Sequence, residues 1–307
     1  MTTPPQAVRI VEVAPRDGLQ NESVLLSTEQ KSTLVQHAIA AGATNVEVTS
    51  FVHPKAVPAM ADAEALLAML EPVDGVTFSA LILNERGLDR ALAAGVREVN
   101  MVVHCTETFS QRNQGTDIAG GIAMWGRVAA TARAEGVRAN LTLAVAFGCP
   151  FEGEVAAEVV REVASRAVEA GAPAELSLAD TIGVAVPRDV TTRFALAVGV
   201  VGAGTALRAH FHNTRNAGVA NALAAVEAGV GILDASLGGI GGCPFAPGAT
   251  GNVATEDLAY ALQRSGIAHG LDDAALRAGG LWLSEQLGRR LPSMVLAAGG
   301  FPQPAAG

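Results

Sequence analysis

The run His210-Phe211-His212-Asn213-Thr214-Arg215 places two of the chain's six histidines two residues apart, just after the apolar-leaning stretch 204–209. In a β-strand, residues i and i+2 face the same side. His210 and His212 would then present two imidazoles close enough to share one ion; the competing reading is a polar pair at a fraying strand end. Other groups of the same chemical kind are scattered along the chain. Arg16 and Asp17 sit in "APRDGLQNE", Glu47 and Ser50 in "VEVTSF", Asp180 and Thr181 in "SLADT", and Cys243 and Asn252 in "GGIGGCPFAPGATGN". Asp17, His210, His212 and Asn252 would offer two oxygens and two nitrogens. A mixed set of that kind suits Mg2+ or Mn2+, with Zn2+, Co2+ or Fe2+ also compatible. No pair of cysteines has the spacing of a structural zinc site.

These residues need elements to bring them together, and one recurring phrase supplies them. "AAGATNVEVTSF" (40–51), "AAGVREVNMVV" (93–103), "AEGVRANLTLAV" (134–145), "EAGAPAELSLAD" (169–180) and "EAGVGILDASL" (227–237) share a pattern: an Ala-rich helix end, a glycine, and a short strand-like run. Glycine just past a helix end reads as a left-handed C-cap. Amphipathic stretches at 27–40 and 154–170 lie between the phrases, the first opened by a Ser27/Gln30 capping box. Adding 8–13, 75–83 and 206–212 gives eight strands alternating with helices in roughly 260 residues, which predicts a parallel (β/α)8 TIM barrel. An open doubly wound sheet fits less well, because no Gly-x-Gly-x-x-Gly turn follows the first strand. The expected division is a catalytic barrel over 1–265 and a short helical C-terminal extension with a loose tail over 266–307.

In such a barrel, reactive groups belong at the C-terminal strand ends, where all of these residues fall. The glycine-rich segment after the last strand reads either as a phosphate cradle or as a mobile loop carrying the Cys243 thiol; a buried inert cysteine is the plain alternative. The formal net charge of −9 excludes a phosphate-neutralising nucleic-acid surface. No apolar run reaches membrane-spanning length. Three widely spaced cysteines, Cys105, Cys149 and Cys243, fit a reducing cytoplasm without a disulfide framework.

The segments "VEVAPRDGLQNE", "VEVTSFVHPKAVPAMAD", "GCPFEG", "SLADTIGV" and "GGIGGCPFAPGATGNVATED" together resemble the 3-hydroxy-3-methylglutaryl-CoA lyase family over residues 8 to about 262. The resemblance implies a retro-Claisen cleavage of a 3-hydroxyacyl-CoA, of the kind used in leucine degradation. In it, a divalent cation at Asp17, His210, His212 and Asn252 acts as Lewis acid and template. Asp17, assisted by a metal-bound water, would take the hydroxyl proton. Arg16 would stabilise the enolate, and Cys243 would protonate or shuttle a proton to the acetyl-CoA carbanion. Glu47 and Asp180 would support the site, and Gln20, Ser50 and Thr181 would hold the substrate. The expected partners are an acyl-CoA substrate and a second copy of the chain in a dimer, with no nucleic acid and no membrane.

The chain departs from the family at 213–216, where relatives read "HCHDTYGQ" and this chain reads "HFHNTRNA". Arg215 would add positive charge to the pocket if it pointed inward, shifting the accepted acyl group toward a longer or modified one; pointing outward, it is a helix-start residue. A Claisen synthase or aldolase of the same barrel type is the rival enzyme reading, and a non-catalytic scaffold barrel the rival class. Cys243 in its loop speaks against the synthase. The full set of candidate ligands speaks against the scaffold.

Overall fold

The computed structural model describes residues 4–242 and 251–302. Eight parallel strands close into a barrel: β1 (Arg9–Glu12), β2 (Asn45–Ser50), β3 (Thr77–Ile82), β4 (Glu98–His104), β5 (Arg138–Ala144), β6 (Glu175–Asp180), β7 (Ala206–Phe211) and β8 (Ile232–Ala235). They follow one another around the wall, and β8 pairs with β1 to close it. The outer layer begins with α1 (Thr28–Ala40), α2 (Ala63–Met69) and α3 (Glu85–Ala93). After β4 come two helices, α4 (Glu107–Gln114) and α5 (Ile118–Ala134). The ring continues with α6 (Ala157–Ala170), α7 (Pro187–Val198), α8 (Gly218–Glu227) and α9 (Thr255–Arg264). A small hairpin pairing 148–149 with 153–154 is inserted between β5 and α6.

The expected capping box opens α1: Ser27 Oγ accepts from Gln30 N, and Gln30 Oε1 accepts from Ser27 N at 2.8 Å. Four of the five phrase glycines, Gly42, Gly95, Gly136 and Gly229, take positive φ, as a helix C-cap requires. Gly171 does not. Its backbone is extended, and a Cβ there would stand 2.7 Å from the Ala129 Cβ. That glycine serves close packing of α6 on α5, where Trp125 Nε1 donates to Gly171 O at 2.8 Å.

The C-terminal extension begins with α10 (Asp273–Leu287) and ends with α11 (Met294–Ala298). Asp272 caps α10 by accepting from Ala275 N at 2.7 Å. Leu276, Leu283 and Leu287 are buried in one cluster with Leu34 and Val35 of α1 and Leu237 beyond β8. Gly279 and Gly280 lie inside the helix, where glycine costs roughly 0.5–1 kcal/mol against alanine. Their lack of a Cβ lets α10 close on His37 and on the buried Glu256. The extension therefore braces the barrel wall that carries the β1 and β8 loops.

Candidate active site

β1 ends in a single π-helical turn, Ala14–Gly18, led by Pro15. Such turns are rare and often functional, and this one carries Arg16 and Asp17 over the barrel mouth. Buried Glu12 holds its start: the amides of Ala14 and Leu237 donate to Glu12 Oε1 at 2.8 and 2.9 Å, and Thr255 Oγ1 donates to Oε2 at 2.7 Å. The turn then lies against the segment after β8. A Cβ on Gly18 would meet Ile240 at 2.7 Å, and one on Gly241, with φ at +113°, would meet Asn252 Nδ2 at 2.3 Å.

His210 ends one residue short of the β7 terminus, and His212 lies one residue past it. His212 keeps the strand's alternation because it pairs antiparallel with Asn252, a bridge flanked by Asn213 N donating to Gly251 O at 2.8 Å. The histidine pair is thus no frayed end. Nε2 of each histidine stands 3.8 Å from Asp17 Oδ2, and the ring centroids are 5.2 Å apart. Ligand atoms from Asp17, His210 and His212 lie within 4.8 Å of one another, forming a candidate metal site.

Asn252 is adjacent but presents its nitrogen. Nδ2 donates to Asp17 Oδ2 at 2.8 Å and to Ile240 O at 3.0 Å, while Oδ1 is buried without a partner. An orphaned amide oxygen beside a carboxylate and two imidazoles fits the donor set a divalent cation takes.

The electrostatics follow from the same contacts. Burial pushes the Asp17 carboxyl up, but Arg16, His210, His212 and the Asn252 hydrogen bond outweigh it and hold it well below the usual carboxylate range. Burial and neighbouring His210 push His212 down to about 4, so it is a neutral donor at pH 7. Burial also works against the charged form of His210, yet its hydrogen bond to Asp234 and the Asp17 charge win, and its pKa rises. Arg16 donates Nε to Glu47 and Nη1 to Asp17, and these acids outweigh its burial to keep it protonated.

The remaining expected residues divide. Glu47 is fully buried behind Arg16 and accepts from Asn100 Nδ2 at 3.4 Å. Gln20 lines the cavity, its Oε1 buried without a partner. Thr181 also lines the cavity, but its hydroxyl accepts from Val145 N at 2.9 Å. Val145 has φ of +52°, a strained conformation for a β-branched residue, so Thr181 anchors strained backbone. Asp180 does not line the cavity: its two oxygens accept from Val184 N and Ala185 N at 2.9 and 3.0 Å and shape the turn after β6. Ser50 is buried and also stands off the cavity lining. Cys243 lies outside the described residues.

Arg215 is exposed and turned away from the cavity lining, donating Nη1 to the carbonyls of Ile182 and Gly183 at 3.1 and 2.8 Å. Asn213 Oδ1 accepts from Gly218 N at 2.9 Å and so caps the start of α8. Both departures are turn-building.

Asp234 on β8 was not among the expected residues. Its Oδ2 meets His210 Nδ1 at 3.0 Å, and its Oδ1 accepts from Arg208 Nε at 2.6 Å. A carboxylate on the far nitrogen fixes the ring and turns Nε2 toward Asp17. The only signal in the sequence was a lone acid inside the apolar run "GILDAS".

From this cluster a cavity of about 770 Å3 extends along the barrel mouth past β2, β3 and β4. Eight closed parallel strands, with an acid, two imidazoles and a buried guanidinium at their C-terminal ends, define a (β/α)8-barrel enzyme with a candidate metal site. The chain belongs to the HMGL-like family, which it matches over residues 7–279, and it is a carbon–carbon lyase of that family. It is 42% identical to an (R)-citramalyl-CoA lyase from Chloroflexus aurantiacus, over 97% of each chain. It is 40% identical to a hydroxymethylglutaryl-CoA lyase from Pseudomonas mevalonii, over 95% of this chain and 98% of the relative. Among solved structures, an HMG-CoA lyase from Acinetobacter baumannii in complex with coenzyme A and 3-methylmalate superposes with a TM-score of 0.92. It is 34% identical, and the match covers 99% of this chain and all of that one.

Proposed function

We propose that this chain cleaves the C2–C3 bond of 3-hydroxy-3-methylglutaryl-CoA, releasing acetyl-CoA and acetoacetate. The observation that carries the reading is the convergence of Asp17, His210 and His212 with protonated, buried Arg16 on a cavity of about 770 Å3. A divalent cation, Mg2+ or Mn2+ first, would be held by Asp17, His210, His212 and Asn252 and would supply Lewis-acid polarisation and a template for the substrate's oxygens. Asp17 is ionised in the resting site and would receive the hydroxyl proton as the bond breaks; its lowered pKa makes it a transient holder. As the C2–C3 bond breaks, a carbonyl forms at C3 and the electron pair moves onto the thioester as an enolate. Arg16 would meet that charge, with its Nε and Nη1 fixed by Glu47 and Asp17. Cys243 returns a proton to C2. Cys105, 2% exposed and absent from the cavity lining, is not placed for that role.

Citramalyl-CoA is a second substrate reading, favoured by the relative at 42% identity. It has one methylene fewer between the carbinol carbon and the carboxylate, and the same bond would break to give acetyl-CoA and pyruvate. One experiment separates them: acetyl-CoA release from both thioesters, and from longer 3-hydroxyacyl-CoA analogues, with Mg2+ or Mn2+ added. Release from hydroxymethylglutaryl-CoA at the highest kcat/KM is expected. Preference for citramalyl-CoA would favour the second reading, and no release from any thioester would overturn both.

A further inference from the structure

The cavity that begins at the two histidines runs on to the end of β4, where it meets polar atoms with no task in the fold. His104, the last residue of β4, is 1% exposed, and its Nδ1 has no hydrogen-bond partner. The ring is held by a hydrogen bond with Asn113 and by Phe109, with centroids 5.2 Å apart. Gln114, at the end of α4, donates Nε2 to Val102 O at 3.0 Å, while its Oε1 is buried and unpaired. His104, Asn113 and Gln114 all line the same cavity as His210. Buried polar atoms in a native fold are ordinarily paired, so two such atoms on residues that line one cavity point to a ligand.

Strand register sets how far this pair lies from the reacting end. His104 pairs with Ala144 across β4 and β5, and Ala179 pairs with His210 across β6 and β7. Leu143 pairs with Leu178 between them, so continuing one residue brings Ala144 beside Ala179. His104, Ala144, Ala179 and His210 thus form one row, three strand spacings or about 14 Å around the wall and less across the chord. The two alanine methyls between the histidines leave a smooth apolar floor.

The chemistry of the ligand follows. Burial makes the imidazole neutral, its pKa pushed down to about 4. With the ring proton on Nε2 toward Asn113, both His104 Nδ1 and Gln114 Oε1 are acceptors. They suit an uncharged N–H donor and suit a carboxylate or phosphate poorly. A coenzyme A thioester carries such donors in the two secondary amides of its pantetheine arm. Its first amide nitrogen lies six bonds beyond the hydroxyl-bearing carbon, about 7 Å in an extended chain. Adding the ligand bonds at the other end brings it within reach of His104.

We propose that His104 and Gln114 form the subsite that receives an amide N–H of the substrate's pantetheine arm. The proposal rests on the acyl-CoA reading above, and its test does not need turnover. Pantetheine, which has both amides and no acyl group, is titrated calorimetrically into the full chain and into His104→Phe and Gln114→Met. The first substitution keeps a ring against Phe109, and the second sits on a different element; thermal melts establish that each is folded. Wild type binds, and each variant weakens binding about fivefold to tenfold, the value of one buried hydrogen bond. With acyl-CoA, kcat/KM falls by the same factor through KM, and the defect vanishes on an S-propyl thioester lacking amides. No pantetheine binding by wild type, unchanged affinity in both folded variants, or an equal defect on the amide-free thioester would each overturn the subsite. A wild type that binds pantetheine yet cleaves no thioester would sink the lyase reading alone.

Discussion

Two polar layers occupy the barrel lumen, and they differ in how their groups are matched. Toward the base, Glu175 accepts from Arg9, from Arg138 Nη2 at 2.9 Å and from Arg208 Nη1 at 3.4 Å, and Glu98 accepts from Asn140 at 2.8 Å. Each acid there faces a guanidinium or an amide, and burial costs are met by neighbours. At the mouth, Asn252 Oδ1, His212 Nδ1, Gln20 Oε1 and His104 Nδ1 are buried without partners. The base has orphans too, Asn140 Oδ1, Ser177 Oγ and Arg208 Nη2, but its acids are matched within the fold, whereas the mouth's orphans on Gln20, His104 and His212 belong to residues that line one cavity. Asp234 belongs to both layers, taking Arg208 from below and His210 from above.

The largest effect should come from breaking the mouth outright. Chelator-treated protein should lose activity to background and regain it with Mg2+ or Mn2+, and His212→Ala should lose most of its metal affinity by direct titration. Full activity after rigorous metal removal would end the metal assignment. Next, Arg16→Gln should lower kcat on the order of a hundred- to a thousandfold with KM little changed, as expected of a donor that meets charge only in the transition state. A KM defect with normal kcat would reassign Arg16 to binding.

The shared acid sharpens the comparison. Asp234→Asn should weaken metal binding about ten- to a hundredfold, because His210 loses the carboxylate that orients it. Arg208→Met, one layer lower, should instead destabilise the fold by about 3 kcal/mol, the low end for a broken buried pair, since it removes the cation shared by Glu175 and Asp234 and leaves them to Arg9, Arg138 and His210. If denaturation shows no loss in Arg208→Met, the base is less tightly matched than its geometry indicates.

A smaller effect concerns pH. Burial pushes Glu256, whose carboxylate accepts from Gly238 N, up to about 8 from an ordinary 4.5. Between those values the folded protein keeps a proton that the unfolded chain has released, so this group's stabilisation is full below about 4.5 and is lost as pH rises through 8. Melting temperatures across pH 5–8 should fall for wild type and fall less for Glu256→Gln; parallel slopes would show that Glu256 does not carry the effect. The smallest expectation is for Arg215→Tyr. Its guanidinium only clamps two carbonyls of the β6 loop, so relative kcat/KM across the acyl-CoA panel should stay unchanged.

Much of the architecture was legible because it is written in repetition. A helix end, a glycine and a strand recur, and local physics alone orders them into alternating units. The site was legible where chemistry is concentrated: His210 and His212 declare themselves by spacing, and Arg16 and Asp17 by their place after the first strand. Asp234, His104 and Asn100 were not, because each is a single polar residue inside an apolar run. Only the pairing register shows that His104 shares a row with His210. Asp180 and Thr181, polar residues at a strand end, also accept from the backbone of the turns they shape, which their types and spacing do not reveal. Gly171 looked like its four counterparts and serves helix contact instead.

Glu12 gives this barrel mouth a common clock. Because the amides of Ala14 and Leu237 share a single carboxylate oxygen, and the other oxygen holds Thr255, the turn bearing Asp17 and the segment leading toward Asn252 are fastened at one point. Local openings that expose either amide to solvent should release both, so in hydrogen–deuterium exchange these two positions, 223 residues apart in sequence (237 − 14), behave as one cooperative unit.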